Sequence, residues 1–469
     1  MGTLTASLNT ALSSMLAQQG AIDTATNNIA NVDTPGYSRQ VANLEESPTI
    51  QEGDLTYGTG VQLASVTSLR DAVLDVRTNQ ETAQQGQLNA FIGAGQQVQA
   101  LFNETSGTGL QSSLTAFFNS FSDLASDPSD PTTRQNVLTA AQNLTGAINQ
   151  TSSNLSTLQT NADLSVQQSV SQINSLTSQI AQVNQEVVEA TQNGQNPGPA
   201  EDQRQQLINQ LSNYIGVSET DAGDGSLTLS TANGSALVVG NQSFALSTQT
   251  NANGFQDIYS NGQNITSQIS GGSLAGNIQI RDQEIPAFQN SLDTLAYDLT
   301  TAVNKQNQAG YDLHGDPGGD IFTPLTQVQG AAANMGVVMT DPDLIAASGT
   351  AGTVTDGVSS SSGDNTNANA LYALQNSNMV DGQTPISYYS GMVFKIGNDV
   401  STAQTNEQAG SQALQQLQNL QGGVSGVDIN QEAANLVQFQ NAYQAAAQVV
   451  TVINSLLETT INMMDTATV

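Results

Sequence analysis

Both ends of the chain carry apolar residues spaced by seven, and this constrains the fold more than any other feature. Near the start, Leu8, Met15, Ile22 and Ile29 form one row, with Leu4, Ala11, Gln18 and Ala25 beside it. Near the end, Leu436, Tyr443, Val450, Leu457 and Met464 form another, with Phe439, Ala446 and Ile453 on the neighbouring row. Val449, Leu456 and Met463 widen that second stripe. A sustained seven-residue repeat predicts long helices with a coiled-coil-like seam. Neither helix can bury its stripe alone, and most helical stability comes from packing. Burying one large apolar side chain is worth about 1.5–3 kcal/mol, so each stripe is a strong drive toward a partner. The termini are expected to pair with each other, with neighbouring copies, or with both. Gln18 is the polar seam position; it either sets register or lies at a wet edge.

The first helix stops at Asn31-Val-Asp-Thr-Pro-Gly-Tyr37, where Pro35-Gly36 fits the centre of a type II turn. Residues 40–70 alternate weakly and predict short strands, and helix is expected again from Asp71 to Phe102. Between Gln135 and Asn193, Val166, Ile173, Ile180 and Val187 form one apolar row, with Leu176 and Val183 adjoining it. This predicts a long amphipathic helix, broken by Gly194-Gln-Asn-Pro-Gly-Pro199. A shorter helix is expected over 201–214. The character changes at Gly216. Ser226–Ser230 alternates, Ala236–Val239 is strand-like, and Asn233-Gly234 between them predicts a two-residue hairpin turn. A second Asn-Gly stands at 261–262.

Helix is expected to return over 284–306. The composition of 349–370 predicts a mobile loop. The last helix is expected to begin at Asp428, with Gln431 as its capping partner. The fold class is therefore mainly α, with paired terminal helices, a central helical bundle and an inserted β-rich outer domain. The expected division is 1–38 plus 428–469, then 39–215 plus 283–427, and 216–282 as the insertion.

Charge excludes several functions. There are 40 acidic residues against 8 basic ones, for a formal net charge of −32. Such a chain does not neutralise phosphates, so neither nucleic acid nor an anionic membrane surface is an expected partner. No cysteine is present, which removes thiol chemistry. The first basic residue is Arg39, so the start does not fit a secretory signal, and any export is expected to use another route. His314, the single histidine, sits among turn formers, where a solvated loop residue is expected rather than a catalytic base. Asp312, Asp316 and Asp320 are spaced like a weak calcium loop, but Pro317 stands where glycine is needed and no glutamate follows. A turn is the simpler reading. Carboxylate pairs such as Glu45-Glu46 and Glu201-Asp202 fall in polar surroundings. No cofactor, metal or enzymatic activity is expected.

The borders of the terminal helices carry a further pattern. Asn27-Asn-Ile-Ala-Asn-Val-Asp-Thr-Pro-Gly-Tyr-Ser-Arg-Gln40 resembles the N-terminal motif of flagellar rod, hook and hook-associated proteins, and its Gly-Tyr-Ser-Arg-Gln ending resembles the FlgK family. Asp33 stands where that family commonly has asparagine. Ser425-Gly-Val-Asp-Ile-Asn-Gln-Glu-Ala-Ala-Asn-Leu-Val-Gln-Phe-Gln-Asn-Ala-Tyr-Gln-Ala-Ala-Ala-Gln448 is similar to that family's C-terminal helix. Asp202-Gln-Arg-Gln-Gln-Leu207, Ile215-Gly-Val217, Gly272-Ser-Leu-Ala-Gly276, Arg281-Asp-Gln283 and Ala370-Leu-Tyr-Ala-Leu-Gln-Asn-Ser377 agree as well.

The resemblance implies a non-enzymatic structural subunit joining hook to filament in a ring-like layer of copies. It implies contact with hook protein and with a neighbouring junction protein. It also implies export through the flagellar type III channel to the cell exterior, with a chaperone on the C-terminal helix beforehand. The terminal seams and the turn residues Asn31, Thr34, Pro35, Gly36, Tyr37 and Arg39 are the expected functional positions. The alternatives are another axial subunit of hook, rod or filament, or a secreted acidic adhesin or enzyme.

Overall fold

The N-terminal rows lie on one helix, α1 (Gly2–Ala30), in a computed structural model that describes residues 2–52, 55–102 and 109–466. The helix gives way to the expected turn. Tyr37 N–H donates to Thr34 O at 3.2 Å, and Gly36 adopts φ +77°, the left-handed value that a type II turn needs at its third residue. Strands β1 (Gln40–Glu46), β2 (Ile50–Glu52), β3 (Leu55–Tyr57) and β4 (Val61–Ser68) follow. β1 pairs antiparallel with β4, with a bulge at Asn43–Leu44, and β2 pairs with β3 beyond them. The β1–β4 ribbon lies along α1. Gly20 allows this approach, because a Cβ there would sit 2.6 Å from Leu63 Cδ2.

α2 (Ala72–Leu101) is capped by Asp71, whose carboxylate accepts from the N–H groups of Val73 and Leu74. α3 (Leu110–Ser126) follows. α4 (Pro131–Gln192) runs for 62 residues. It starts earlier than its apolar rows suggest, because Asp130 caps Thr133 N–H at 3.0 Å and Pro131 fits the first turn. Val166, Ile173, Ile180 and Val187 are all fully buried, as their spacing predicts. α5 (Gly198–Ser212) closes this segment.

Seven strands come next. β5 (Val217–Asp221), β6 (Leu227–Thr231), β7 (Ala236–Val239) and β8 (Gln242–Ser243) form a four-stranded antiparallel meander. β9 (Ser247–Thr250), β10 (Gln256–Ser260) and β11 (Gln263–Asn264) form a three-stranded one. The turn at Asn233-Gly234 differs from expectation. Only Gly234 has positive φ, and Gly234 N–H bonds back to Thr231 O, so this is a type I turn followed by a left-handed glycine. The two-residue mirror-image turn occurs instead at Asn261-Gly262, where φ is +49° and +80°.

The strands end at Asn264 and helix resumes at α6 (Gly272–Gln279), sooner than the sequence suggests. A π turn over Ile280–Glu284 joins α6 to α7 (Ile285–Gln308). Pro286 has no N–H for the Asp282 carbonyl, so the regular ladder lapses there. The fully buried Arg281 guanidinium then reaches Asp163 Oδ1 on α4 at 2.6 Å and Gln256 O on β10 at 2.7 Å.

Beyond α7 lie α8 (Ala331–Asn334), the two-residue strands β12 (Val354–Thr355) and β13 (Val358–Ser359), and α9 (Thr366–Ala373). The segment read as a mobile loop is held by Asp364, which accepts from Ser348 Oγ, Gly349 N–H and Thr366 Oγ1. α10 (Pro385–Ser425) and α11 (Ile429–Thr466) complete the chain.

Two hydrophobic cores result. The first joins α2, α3, the first half of α4, α7 and α10, around Phe117, Phe118, Phe121, Phe288 and Phe322. The second seats both small sheets on the later part of α4 and on α5, through Val170, Ile173, Ile180, Leu211, Leu229 and Ile258. Among the described residues, no helix is long and apolar enough to cross a membrane.

Candidate assembly site

α1 and α11 pack side by side and antiparallel: Asn28 meets Glu432 at one end, and Ala11 shares a groove with Ala446 further along. Leu4, Leu8, Met15, Ile22 and Ile29 are each half-buried in this arrangement. The positions α1 buries best are small: Ala11, Ala17, Ala21 and Ala25 are 1–6% exposed. The β1–β4 ribbon covers one flank of the helix, and only small side chains fit between two close neighbours. Gln18 is half-buried, and its Oε1 is buried without a hydrogen-bond partner among the described residues.

On α11, Ile453 is buried and Leu436, Phe439, Tyr443, Val450 and Leu457 are half-buried. Met464 falls on the helix, but its side chain lies outside the described residues. Asp428 caps the helix, its carboxylate accepting Asn430 N–H at 2.9 Å and Gln431 N–H at 3.4 Å. The widening row faces outward. Val449, Val452, Leu456 and Met463 are 47–67% exposed and run on from the groove between α1 and α11.

A polar joint fixes this helix pair to the rest of the molecule. Arg39 Nε donates to Glu432 Oε1 at 2.8 Å. Asn28 Nδ2 donates to the other oxygen, Oε2, at 3.2 Å, and to Gln40 O at 2.8 Å. Asn28 Oδ1 accepts from Tyr37 Oη and from Gln40 N–H, both at 2.9 Å. Arg39 N–H also donates to Ser425 O at 2.8 Å, just ahead of α11. On the other side, Asp202 on α5 accepts Ser38 N–H at 2.9 Å and Arg70 Nη1 at 3.0 Å. Arg70 Nε lies 3.5 Å from Asp75, which also accepts from Gln421. Gln206 donates to Pro35 O at 2.9 Å. Glycine suits position 36 because of its φ of +77°, and a Cβ there would push the Gln206 amide off Pro35 O.

Burial pushes the Asp75 and Asp202 carboxyls above their ordinary range, against the opposing pull of Arg70 and, at Asp202, the Ser38 N–H. The Tyr37 phenol is pushed up to about 12, first by burial and then by the negative charges of Asp202 and Glu432.

The turn residues thus divide. Tyr37 and Arg39 enter the joint. Asn31 and Thr34 are occupied with each other, Thr34 Oγ1 donating to Asn31 Oδ1 at 3.2 Å. Asn28, Arg70, Asp75, Asp202 and Glu432 complete the joint; none was expected there from the sequence, where Asp202 figured only in a carboxylate pair in polar surroundings, whereas it is buried. Asn28, Asp202 and Glu432 lie inside the quoted motifs, the one signal that could have found them.

The polar clusters elsewhere do structural work. Asp312 is buried and accepts the N–H groups of His314 and Asp316, both at 2.9 Å. Among the described residues, no group of three or more acidic, histidine or cysteine side chains could hold a metal ion.

Comparison with known proteins reads the same regions. Residues 95–322 match the family model of the flagellar hook-associated protein FlgK helical domain. Residues 8–37 match that of the flagella basal body rod protein, and residues 421–463 that of the flagellar basal body rod FlgEFG protein C-terminal region. Flagellar hook-associated protein 1 of Bacillus subtilis is 27% identical, the alignment covering 97% of this chain and 98% of that one. Its namesakes from Salmonella typhimurium and Escherichia coli are 26% and 27% identical, each alignment covering 97% of this chain and 99% of theirs. The flagellar hook junction protein FlgK from Burkholderia pseudomallei shares the fold, with a TM-score of 0.66 at 20% identity over 75% of this chain and 100% of that one.

Proposed function

Given that the chain belongs to the FlgK family of flagellar hook-associated proteins, we propose that it is a structural subunit of the bacterial flagellum, joining hook to filament. The observation that carries this reading is the terminal pair of α1 and α11. It is fixed to the body by a buried polar joint, yet leaves the row Val449, Val452, Leu456 and Met463 exposed. Exposed contiguous apolar surface of this kind marks an interaction site. The rod-protein models match the chain at these two ends, where a surface common to axial proteins is expected.

In this reading the subunits form a ring-like layer in the axis, with the terminal helices supercoiling where copies meet. Hook protein lies on one side and a neighbouring junction protein on the other. The C-terminal helix, before export through the flagellar type III channel, is covered by a chaperone that hides the same row. Residues 1–38 plus 428–469 form the assembly part and residues 39–215 plus 283–427 the helical core, with 216–282 as an outer insertion. Leu4, Leu8, Met15, Ile22, Ile29, Leu436, Phe439, Tyr443, Val450, Ile453, Leu457 and Met464 are the proposed seam, and no step in this role involves catalysis.

The test is genetic. Cells lacking this protein should retain hooks but release filament protein into the medium. Leu436→Asp with Tyr443→Asp should reproduce that loss while leaving the melting of the two cores nearly unchanged. Normal filaments in either strain would overturn the assignment.

A further inference from the structure

The terminal pair presents two apolar features on opposite sides of the same helix. The first is the groove between α1 and α11, a cavity of about 660 Å³ walled by Ala6, Ala11, Ala442 and Ala446 and lipped by Ile50 and Tyr57. Ile50 and Tyr57 stand out into solvent from β2 and β3, 46% and 41% exposed. The second is a ridge. Leu12 and Leu16 lie one turn apart on α1 and are 50% and 66% exposed. At 100° per residue, they point away from the groove-lining positions 6, 10 and 14 by about half a turn.

The helical walls of the groove carry no ionic signal. Residues 2–22 and 433–457 contain no acidic or basic side chain, although the chain has a formal net charge of −32. Two identical acidic molecules repel one another over most of their surfaces. The uncharged helical band is where such copies can meet at least cost; acid borders the groove only at its lip, where Glu46 lies beside Gly58. The occupant that fits is a second copy of this chain.

We propose that Leu12 and Leu16 of one copy seat in the groove between α1 and α11 of the next, under Ile50 and Tyr57. This rests on the reading of the terminal pair as the assembly surface, and it names the contact. Ridge and groove face opposite ways, so one copy cannot satisfy itself and a twofold pair cannot join both features. The contact is heterologous: each copy gives its ridge to one neighbour and its groove to another, which generates a ring or an open helix.

The chain contains no cysteine, so introduced thiols report without background. Leu16→Cys is combined with Tyr57→Cys, and separately with Val449→Cys, all at exposed positions. Full-length variants are produced in cells lacking the native chain. Sheared hook–filament preparations are then treated with a short thiol-specific cross-linker. The expected result is a ladder of multimers from each double variant and no ladder from any single variant. Dimers from Leu16→Cys alone would mean a symmetric contact and would overturn the proposal. So would linkage to a different axial protein, or no linkage although the chain is present in the preparations. Absence of the unsubstituted chain from the same preparations would instead overturn its reading as a flagellar subunit, and this contact with it.

Discussion

Asn28 spends its whole side-chain amide on the polar joint. Its two N–H bonds go to Gln40 O and Glu432, and its oxygen takes Tyr37 Oη and Gln40 N–H. Asparagine is suited to this because it offers two donors and an acceptor with two lone pairs. Removing one member of such a network leaves buried partners unsatisfied, at roughly 1–3 kcal/mol each. Tyr37 makes the network visible to titration. Its folded pKa of about 12 lies above the ordinary 10.0. The sign follows: the phenol stabilises the joint fully below the ordinary value, and that contribution is lost as pH rises through about 12. An alkaline absorbance titration should therefore show a late-titrating phenol that is missing in Tyr37→Phe. A wild-type curve without a late group would contradict the buried geometry. None of this pairing was legible beforehand. Arg39 and Glu432 are 393 positions apart, and periodicity does not say which distant charges meet.

α11 shows what periodicity does reveal about an element. Apolar rows predicted α1, α4 and α11 because a helix repeats its face every few residues. They did not divide the C-terminal stripe into its two uses. Ile453 is 5% exposed beside α1, whereas Leu456, three residues on, is 48% exposed. The two should respond oppositely to substitution. Ile453→Ala should cost roughly 2–5 kcal/mol, the range for truncating a buried isoleucine. Hydrogen exchange of α1 and α11 amides would register that loss. Leu456→Ser should change the stability of the isolated chain by less than about 0.5 kcal/mol, yet lower the amount of chain recovered in flagella. Normal recovery would show that the exposed row is not used.

Other details were missed for definite reasons. Short strands were expected over residues 40–70, but β2 and β3 are too short for alternation to mark them out one by one, and the helical stretch from Gly272 is hidden by its glycines. The two Asn-Gly pairs look alike in sequence but take different turns. Which one forms depends on the strand register around them.

At the scale of the whole molecule, acidity works against assembly. Copies with a formal net charge of −32 repel on approach, and the uncharged band at the ends does not cancel that long-range field. Salt does. The Debye length falls from about 30 Å at 0.01 M to about 3 Å at 1 M. Association of purified chains, followed by light scattering, should therefore speed up as salt rises, the opposite of what an oppositely charged partner would give. A rate that falls with salt would mean that charge attraction drives the contact.

α4 has a mechanical consequence. At 1.5 Å per residue, its 62 residues make a rod of roughly 90 Å that passes through both hydrophobic cores without a break. Neither core can swivel against the other unless that rod bends. Torque applied to the small sheets is carried along α4 and α5 to Asp202 and Gln206, and from there into the terminal pair. Part of that load crosses the hydrogen bonds around Ser38 and Pro35. The joint is therefore a transmission element between body and ends as well as a fastening.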